Sequence, residues 1–195
     1  MDERELIRRC QSGEEPAYVE FYREYFGRVY TLSCRLLKDR EWAKDAVQEI
    51  FIKAFRGLNN FQFQSKISTW LHRITINQCR DMLREQSRQP VIYSQPTRDE
   101  EDAKNPIDQI PDSKPTPSQE QNTREIRQRI LAAVNRLPAE FEETFYLKEF
   151  EELSYAEIGQ ILGCRIGTVK SRIFRARELL QQELQELYQE FKEKE

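Results

Sequence analysis

Proline placement divides this chain into two halves. Six of its eight prolines fall between Pro90 and Pro117. Because proline removes a backbone donor and fixes φ, neither a helix nor a sheet persists through such a run. A length of 195 residues accommodates one or two domains. The sequence therefore predicts a first domain over 1–86, a flexible linker over 87–123 and a second domain over 124–195.

Charge differs between the three parts. Residues 90–123 hold three basic and seven acidic residues, for a net charge of −4. Residues 1–89 hold 16 basic and 13 acidic residues, and residues 124–195 hold 12 and 14. The chain as a whole carries −3. These figures predict two small domains joined by an extended acidic tether.

Apolar spacing predicts helices in both domains. From Glu41 to Leu58, apolar residues recur at i, i+3, i+4 and i+7, the stripe of an amphipathic helix. Similar stripes predict further helices over 2–11, 17–37 and 65–86, the last with Ile67, Trp70, Leu71, Ile74 and Leu83 on one side. In the second domain they predict a helix with Ile126, Ile130, Val134 and Leu137 that ends at Pro138, then one with Phe141, Phe145 and Leu147. Since strand-like alternation is scarce, the predicted fold is all-α.

Residues 153–177 carry the strongest local signal. Ser154 followed by Glu157 is a capping box, which fixes a helix start at Ser154. Gly163 is suited to end that short helix in a left-handed conformation. A second helix is expected from about Arg165, and Gly159 would let the two helices approach closely. The pattern predicts a helix–turn–helix.

The second of these helices is basic, with no acidic residue among 158–177. Its basic residues are Arg165, Lys170, Arg172, Arg175 and Arg177. Thr168, Ser171 and Arg175 share a face, and Phe174 could contact a thymine methyl group. Such a helix suits the phosphates and base edges of a DNA major groove. A merely solvated basic face is the alternative interpretation.

Several other classes of site lack support in the sequence. The four cysteines are far apart, and His72 is the only histidine, so neither a metal site nor a cofactor is expected. No common nucleotide-binding or hydrolase motif is present, so the protein is not expected to be an enzyme. The N-terminal residues lack a signal-peptide core, and no apolar run reaches about 20 residues. A cytoplasmic protein is therefore expected.

Two stretches resemble a known family. The passage LSYAEIGQILGCRIGTVKSRIFRARELL resembles region 4 of the extracytoplasmic-function sigma factors, initiation factors of the sigma-70 family; its GTVKSR string, Gly167–Arg172, is especially specific. The passages DAVQEIFIKAF over 45–55 and FQFQSKISTWLHRITINQCRDMLR over 61–84 are similar to region 2. The resemblance covers roughly 10–86 and 124–182. It implies a protein that binds core RNA polymerase and directs it to promoters.

The resemblance implies a polymerase-binding patch on the 41–58 helix. Asp45, Gln48 and Glu49 lie at i, i+3 and i+4, so they share a polar face opposite the apolar stripe. By spacing alone, a solvated face explains them as well. In the family, this D-x-x-Q-E surface docks on a coiled coil of the polymerase's largest subunit, with Lys53 as a possible neighbour.

It also implies that the next helix captures the minus-ten element. Arg73, Asn77, Arg80 and Arg84 form a basic face near Trp70, beside a loop over 59–66 that contains Phe61, Phe63 and Lys66. Unpaired bases need stacking planes and polar partners of this kind. The alternative is that the three aromatic residues belong to the core. The loop is richer in Gln, and poorer in Gly and Asp, than the family's usual form.

The expected partners are core RNA polymerase, promoter DNA and, from the family alone, an anti-sigma factor; no small-molecule substrate is expected. The free chain is expected to be a monomer, and the tail over 178–195 to pack, dimerise or bind a partner. The main alternative is a dimeric helix–turn–helix regulator that acts without polymerase. A helical interaction protein leaves the basic patch unexplained, and a helical hydrolase is more remote.

Overall fold

The computed structural model describes residues 2–88 and 129–192, and all regular secondary structure within those two ranges is helical. The first range contains α1 (Glu3–Gln11), α2 (Glu15–Leu37), α3 (Arg40–Leu58) and α4 (Ile67–Arg88). The second contains α5 (residues 129–135), α6 (Ala139–Glu149), α7 (Tyr155–Leu162) and α8 (Ile166–Lys192). The all-α prediction is confirmed.

The first unit is built around α2 and α3. α2 begins with Pro16 in its first turn, and Lys38 ends it in a left-handed conformation. Asp39 then caps α3 by accepting from the Trp42 amide at 2.9 Å. The rings of Phe21 and Phe51 meet edge to face at the centre of the core. The short connection at Lys38 and Asp39 thus brings the apolar faces of α2 and α3 together, and α1 and α4 pack against them.

α4 departs from its predicted stripe near its C-terminal end. Leu83 is exposed, although its spacing placed it with the core residues, and Ile74 is only half-buried. The side facing the core instead holds polar groups such as Thr75, whose hydroxyl donates to the Leu71 carbonyl at 2.9 Å. Leu83 is exposed because α4 continues to Arg88, past the part of the helix that packs on the core.

The second unit packs α5 and α6 against α8. Ala133, Val134 and Leu137 bury against Ala176 and Leu180 of α8. Pro138 is the N-cap of α6, so this proline starts a helix as well as ending the preceding one. Ile130 is exposed, contrary to its predicted core position. Beyond Leu180, Leu184 is half-buried in a groove it shares with Phe145.

The described residues form two compact units, one in each half of the chain. Apart from its first two residues, which belong to α4, the predicted linker over 87–123 lies outside the described residues. So do the side chains of Leu187 and Phe191, on which the apolar pattern of the tail depends. Among the residues described, no helix is long and apolar enough to cross a membrane.

Candidate functional site

α7 and α8 form the predicted helix–turn–helix. The Ser154 hydroxyl accepts from the Glu157 amide, and the Ser154 amide donates to the Glu157 carboxylate at 2.9 Å, which completes the capping box. Gly163 ends α7 with φ at 66°. A Cβ added to Gly159 would lie 2.9 Å from the Cys164 carbonyl oxygen, so glycine is what lets the turn fold back onto α7.

α8 presents an exposed face of mixed chemistry. Val169, Ile173 and Ala176 are buried on its inner side. The outer side carries Thr168, Ser171, Phe174 and Arg175, flanked by Arg165 and Lys170, all exposed. Phe174 is 63% exposed, more than any other large apolar residue among those described. Hydroxyl, aromatic and guanidinium groups on one helix face suit the edges of base pairs.

The basic residues of α8 fall into two groups. Arg172 donates to Glu140 at 2.8 Å and Arg177 donates to Glu149 at 2.7 Å, so both pair with carboxylates of α6. The hydrogen bond to Glu149 also raises the pKa of Arg177. Among the described residues, Arg175 pairs with Glu178 of its own helix, at 2.8 Å. Two arginines therefore connect α8 to α6; the Arg172 side chain is 21% exposed, whereas those of Arg177 and Arg175 are 59% and 68% exposed.

The D-x-x-Q-E residues lie on one exposed face of α3. Asp45, Gln48 and Glu49 are exposed, whereas Ala46 and Val47 between them are buried. The helix thus separates a polar face from the core, as its spacing predicts. Nothing in the packing of the first unit requires these three side chains.

Lys53 has a structural contact that its sequence position did not reveal. Its ammonium group donates to the Gln78 side chain of α4. A groove of about 540 Å³ lies between α3 and α4 here, with Asp45 and Glu49 on one wall and Arg84 on the other. Two carboxylates of the D-x-x-Q-E patch thus lie across one groove from the C-terminal part of α4.

The basic face of α4 is accessible along its length. Arg73, Asn77 and Arg84 are exposed and Arg80 is half-buried. Arg84 approaches Asp81 on the same helix, at 3.5 Å. The four side chains predicted to share a face therefore do so.

The three aromatic residues near α4 have different environments. Phe61 is buried, and its ring lies 5.4 Å from Trp70 and 5.2 Å from Phe63 between centroids. Trp70 and Phe63 are half-buried, and Lys66 is exposed. A Cβ at Gly57 would come within 2.8 Å of the Trp70 ring, so Gly57 makes room for it. Phe61 has the environment of a core residue, while Trp70 and Phe63 keep accessible surface.

Two features were missed by sequence reasoning. α1 contacts the 59–66 loop through Gln11 and Arg4, a non-local contact with no sequence signal. An exposed aromatic row also runs along α2, where the tilted rings of Tyr22 and Phe26 lie 5.2 Å apart and the Tyr22 ring lies 4.6 Å from that of Phe51 in α3. The i, i+4 spacing of these aromatics was visible, but α2 is apolar on several sides, so periodicity did not separate surface from core.

Comparison with known proteins matches both units. The family model "Sigma-70 region 2" matches residues 21–89, and "Sigma-70, region 4" matches residues 127–180. RNA polymerase sigma-H factor of Pseudomonas aeruginosa is 34% identical over 96% of this chain and 96% of its own length. ECF RNA polymerase sigma-E factor of Haemophilus influenzae is 35% identical over 93% of this chain and 95% of its own.

Solved structures share the fold. CnrH, in complex with the cytosolic domain of CnrY, matches with a TM-score of 0.64 and 20% identity over 93% of this chain and 96% of that one. RpoE of Bartonella quintana, in complex with the anti-sigma factor NepR, matches with a TM-score of 0.60 and 24% identity over 85% of this chain and 97% of that one. From the matched regions and the full-length relatives, the chain belongs to the extracytoplasmic-function group of the sigma-70 family of RNA polymerase sigma factors.

Proposed function

We propose that this protein binds core RNA polymerase and directs it to a specific set of promoters, with one surface for the polymerase and two for DNA. The observation that supports this most is the presence of two sigma regions, in order, on one chain. In this function the chain performs no catalysis itself. The polymerase carries out the chemistry, so the protein acts in the cytoplasm with it.

The proposed polymerase-binding surface is the exposed face of α3. Asp45, Gln48 and Glu49 contact the partner directly. Lys53 contributes through its bond to Gln78, which ties α3 to α4. The aromatic row of α2, next to Phe51, supplies apolar surface beside this polar patch. A polar centre with neighbouring exposed aromatic side chains has the composition of a protein-binding surface.

The proposed minus-ten surface is the 59–66 loop with the outer face of α4. Arg73, Asn77, Arg80 and Arg84 follow the backbone and bases of the opened strand. Phe63, Lys66 and Trp70 lie at the loop end of this face, where a stacking plane suits an unpaired base. Phe61 supports the two neighbouring aromatic rings from the core.

The proposed minus-thirty-five surface is the outer face of α8. Thr168, Ser171, Phe174 and Arg175 face base edges in the major groove. Arg165 and Lys170 flank them and neutralise phosphates. Arg172 and Arg177 hold α8 against α6, which fixes the angle at which the helix enters the groove.

For the remaining parts of the chain, we propose a domain over 1–86, a tether over 87–123 and a domain over 124–195. The composition of the tether supports this division. Its acidity suits the basic nucleic-acid channel of a polymerase, and a solvated tether explains it equally well. RpoE of Bartonella quintana was solved with an anti-sigma factor, so an anti-sigma factor that binds this chain is part of the proposal, together with a monomeric state when the chain is free of partners.

In vitro transcription tests the proposal. Core polymerase is mixed with a promoter library, with and without this protein, and the transcripts are sequenced. We expect transcripts with defined start sites only when the protein is present. A dimeric regulator would instead bind palindromic duplexes without polymerase and sediment as a dimer. Binding of that kind, with no effect on initiation, would refute the proposed function.

A further inference from the structure

The first helix has no role in the function proposed above, and the region 2 match begins after it, at residue 21. α1 is nevertheless firmly attached to the first unit. Leu6, Ile7 and Cys10 are buried in its core. Arg9 then bridges Glu14 at 2.9 Å and Glu20 at 3.1 Å, which joins the end of α1 to the start of α2.

Two tyrosines of α2 add to this attachment. The Tyr18 hydroxyl donates to the Cys10 carbonyl at 2.7 Å, and the Tyr25 hydroxyl donates to the Glu3 carboxylate at 3.2 Å. Burial, together with the Glu3 charge, raises the pKa of Tyr25, so this hydroxyl stays protonated and remains a donor. α1 is therefore held at both ends by groups unrelated to the 59–66 loop.

From this position α1 reaches the loop. The Gln11 side-chain amide donates to the Leu58 carbonyl at 2.9 Å and to the Phe61 carbonyl at 3.0 Å. One amide thus joins the end of α3 to the start of the loop. Near the other end of α1, the Arg4 guanidinium lies 5.8 Å from the centre of the Phe63 ring.

The loop needs such support because its conformation is strained. Phe63 has φ at 58°, in the left-handed region that non-glycine residues rarely adopt. At its exposed tip, the Gln64 side-chain amide donates to the Gln62 side-chain oxygen at 3.0 Å. A strained backbone persists only where its surroundings hold it. Gln11 holds the chain two residues before Phe63, at the Phe61 carbonyl, and Arg4 contacts the Phe63 ring itself.

We propose that Gln11 is a positioning residue for promoter opening: from a fixed α1, it holds the 59–66 loop in the shape that accepts an unpaired minus-ten base, with Arg4 as its partner on Phe63. This inference rests on the proposed function of the loop. It makes α1 part of the opening apparatus through its hold on the loop.

The test uses holoenzyme and a promoter that the wild-type holoenzyme selects from a randomised duplex library. Gln11→Glu keeps the size of the side chain but replaces both donors with a carboxylate that faces two carbonyls. Gln11→Ala removes the group without adding a charge. Glu5→Gln is the matched control, on an exposed position of the same helix. Opening is followed by the fluorescence of 2-aminopurine placed in the minus-ten element, and duplex binding by gel shift.

We expect both Gln11 variants to open the promoter about tenfold more slowly, the effect of losing roughly one net hydrogen bond. Core affinity and duplex affinity should be unchanged, and hydrogen exchange should rise over 59–66 but not over α2 or α3. Arg4→Ala should slow opening in the same direction. Opening at the wild-type rate, or a loss of core affinity in step with opening, would overturn the role of Gln11. If wild-type holoenzyme fails to open any promoter, the proposed function fails instead.

Discussion

At the scale of single residues, ion pairs divide the arginines of α8 by role. Arg172 is only 21% exposed and is committed to Glu140 of the neighbouring helix. Arg175 is largely exposed, and its one carboxylate contact, Glu178, lies a turn away on the same helix. An exposed pair of this kind is worth little, so DNA can displace it. We therefore expect Arg175, rather than Arg172, to contact a base.

Arg175→Ala should weaken minus-thirty-five recognition and relax the preference at one base pair. If Arg175 contacts a guanine in bidentate fashion, the loss should be about 1–3 kcal/mol. Gel shifts with holoenzyme on promoters varied at each base pair would measure it. Arg136→Ala is the control, since Arg136 is an exposed arginine of the same unit that pairs with Glu183. An equal loss on every promoter would show that Arg175 binds phosphate rather than a base.

Arg172→Ala should act differently, because Arg172 connects two helices. We expect a small loss of stability in the second unit, of about 0–1 kcal/mol, with DNA affinity lowered on all promoters alike. Glu140→Ala removes the same contact from the other side and should give the same result. If Arg172→Ala gave a base-specific defect and Glu140→Ala did not, Arg172 would be a base-contacting residue after all.

At the scale of elements, local signals were more reliable than long-range ones. The capping box at Ser154 and the left-handed Gly163 were predictable because each depends on a few neighbouring residues. The environments of Phe61 and Gln11 were not predictable, since each depends on a helix distant in the sequence. Leu83 has the spacing of a core-facing residue, but it lies beyond the part of α4 that packs on the core. Spacing therefore identified helices and their faces, but not where packing ends.

The turn of the helix–turn–helix gives a paired test. Gly159→Ala should destabilise the second unit by about 1–3 kcal/mol, because the new methyl group would lie 2.9 Å from the backbone oxygen of Cys164. Gly167→Ala should stabilise α8 by about 0.5–1 kcal/mol, since nothing lies within 4 Å of its added methyl group. Hydrogen exchange of α7 and α8 in the full chain measures both. Equal effects of the two substitutions would contradict the close approach at Gly159.

The role of the exposed α3 face in polymerase binding should be separable from the stability of the fold. Changing Asp45, Gln48 and Glu49 together to Ala should abolish association with core polymerase. Stability should change by no more than about 0.5 kcal/mol per site, because none of the three side chains packs in the core. Co-purification with core and thermal unfolding measure the two properties. The control is a variant in which Glu15 and Glu24, both exposed on α2, are changed together in the same way. Unaltered core binding by the triple variant would show that the exposed face of α3 does not bind the polymerase.

At the scale of the whole molecule, the net charge suggests that tight promoter binding requires the polymerase. The chain carries −3 overall, although the faces of α4 and α8 that we propose to bind DNA are basic. A protein that binds DNA alone is usually basic throughout. Two weak DNA surfaces on one chain gain affinity when a third partner fixes their separation, because the second contact then becomes intramolecular.

The effects of substitutions in the two units on the free energy of promoter binding should therefore be additive until the promoter opens. Asn77→Ala, on the outer face of α4, should leave binding to closed duplex unchanged and impair opening. Arg175→Ala should weaken duplex binding first, and the double variant should lose duplex affinity by the same factor as Arg175→Ala alone. Since the two residues belong to separate units, no direct coupling is expected before opening. Gel shift of holoenzyme measures binding, and permanganate reactivity of unpaired thymines measures opening. Full opening by Asn77→Ala, or a duplex defect in the double variant far larger than that of Arg175→Ala, would show that the units do not divide reading and opening between them.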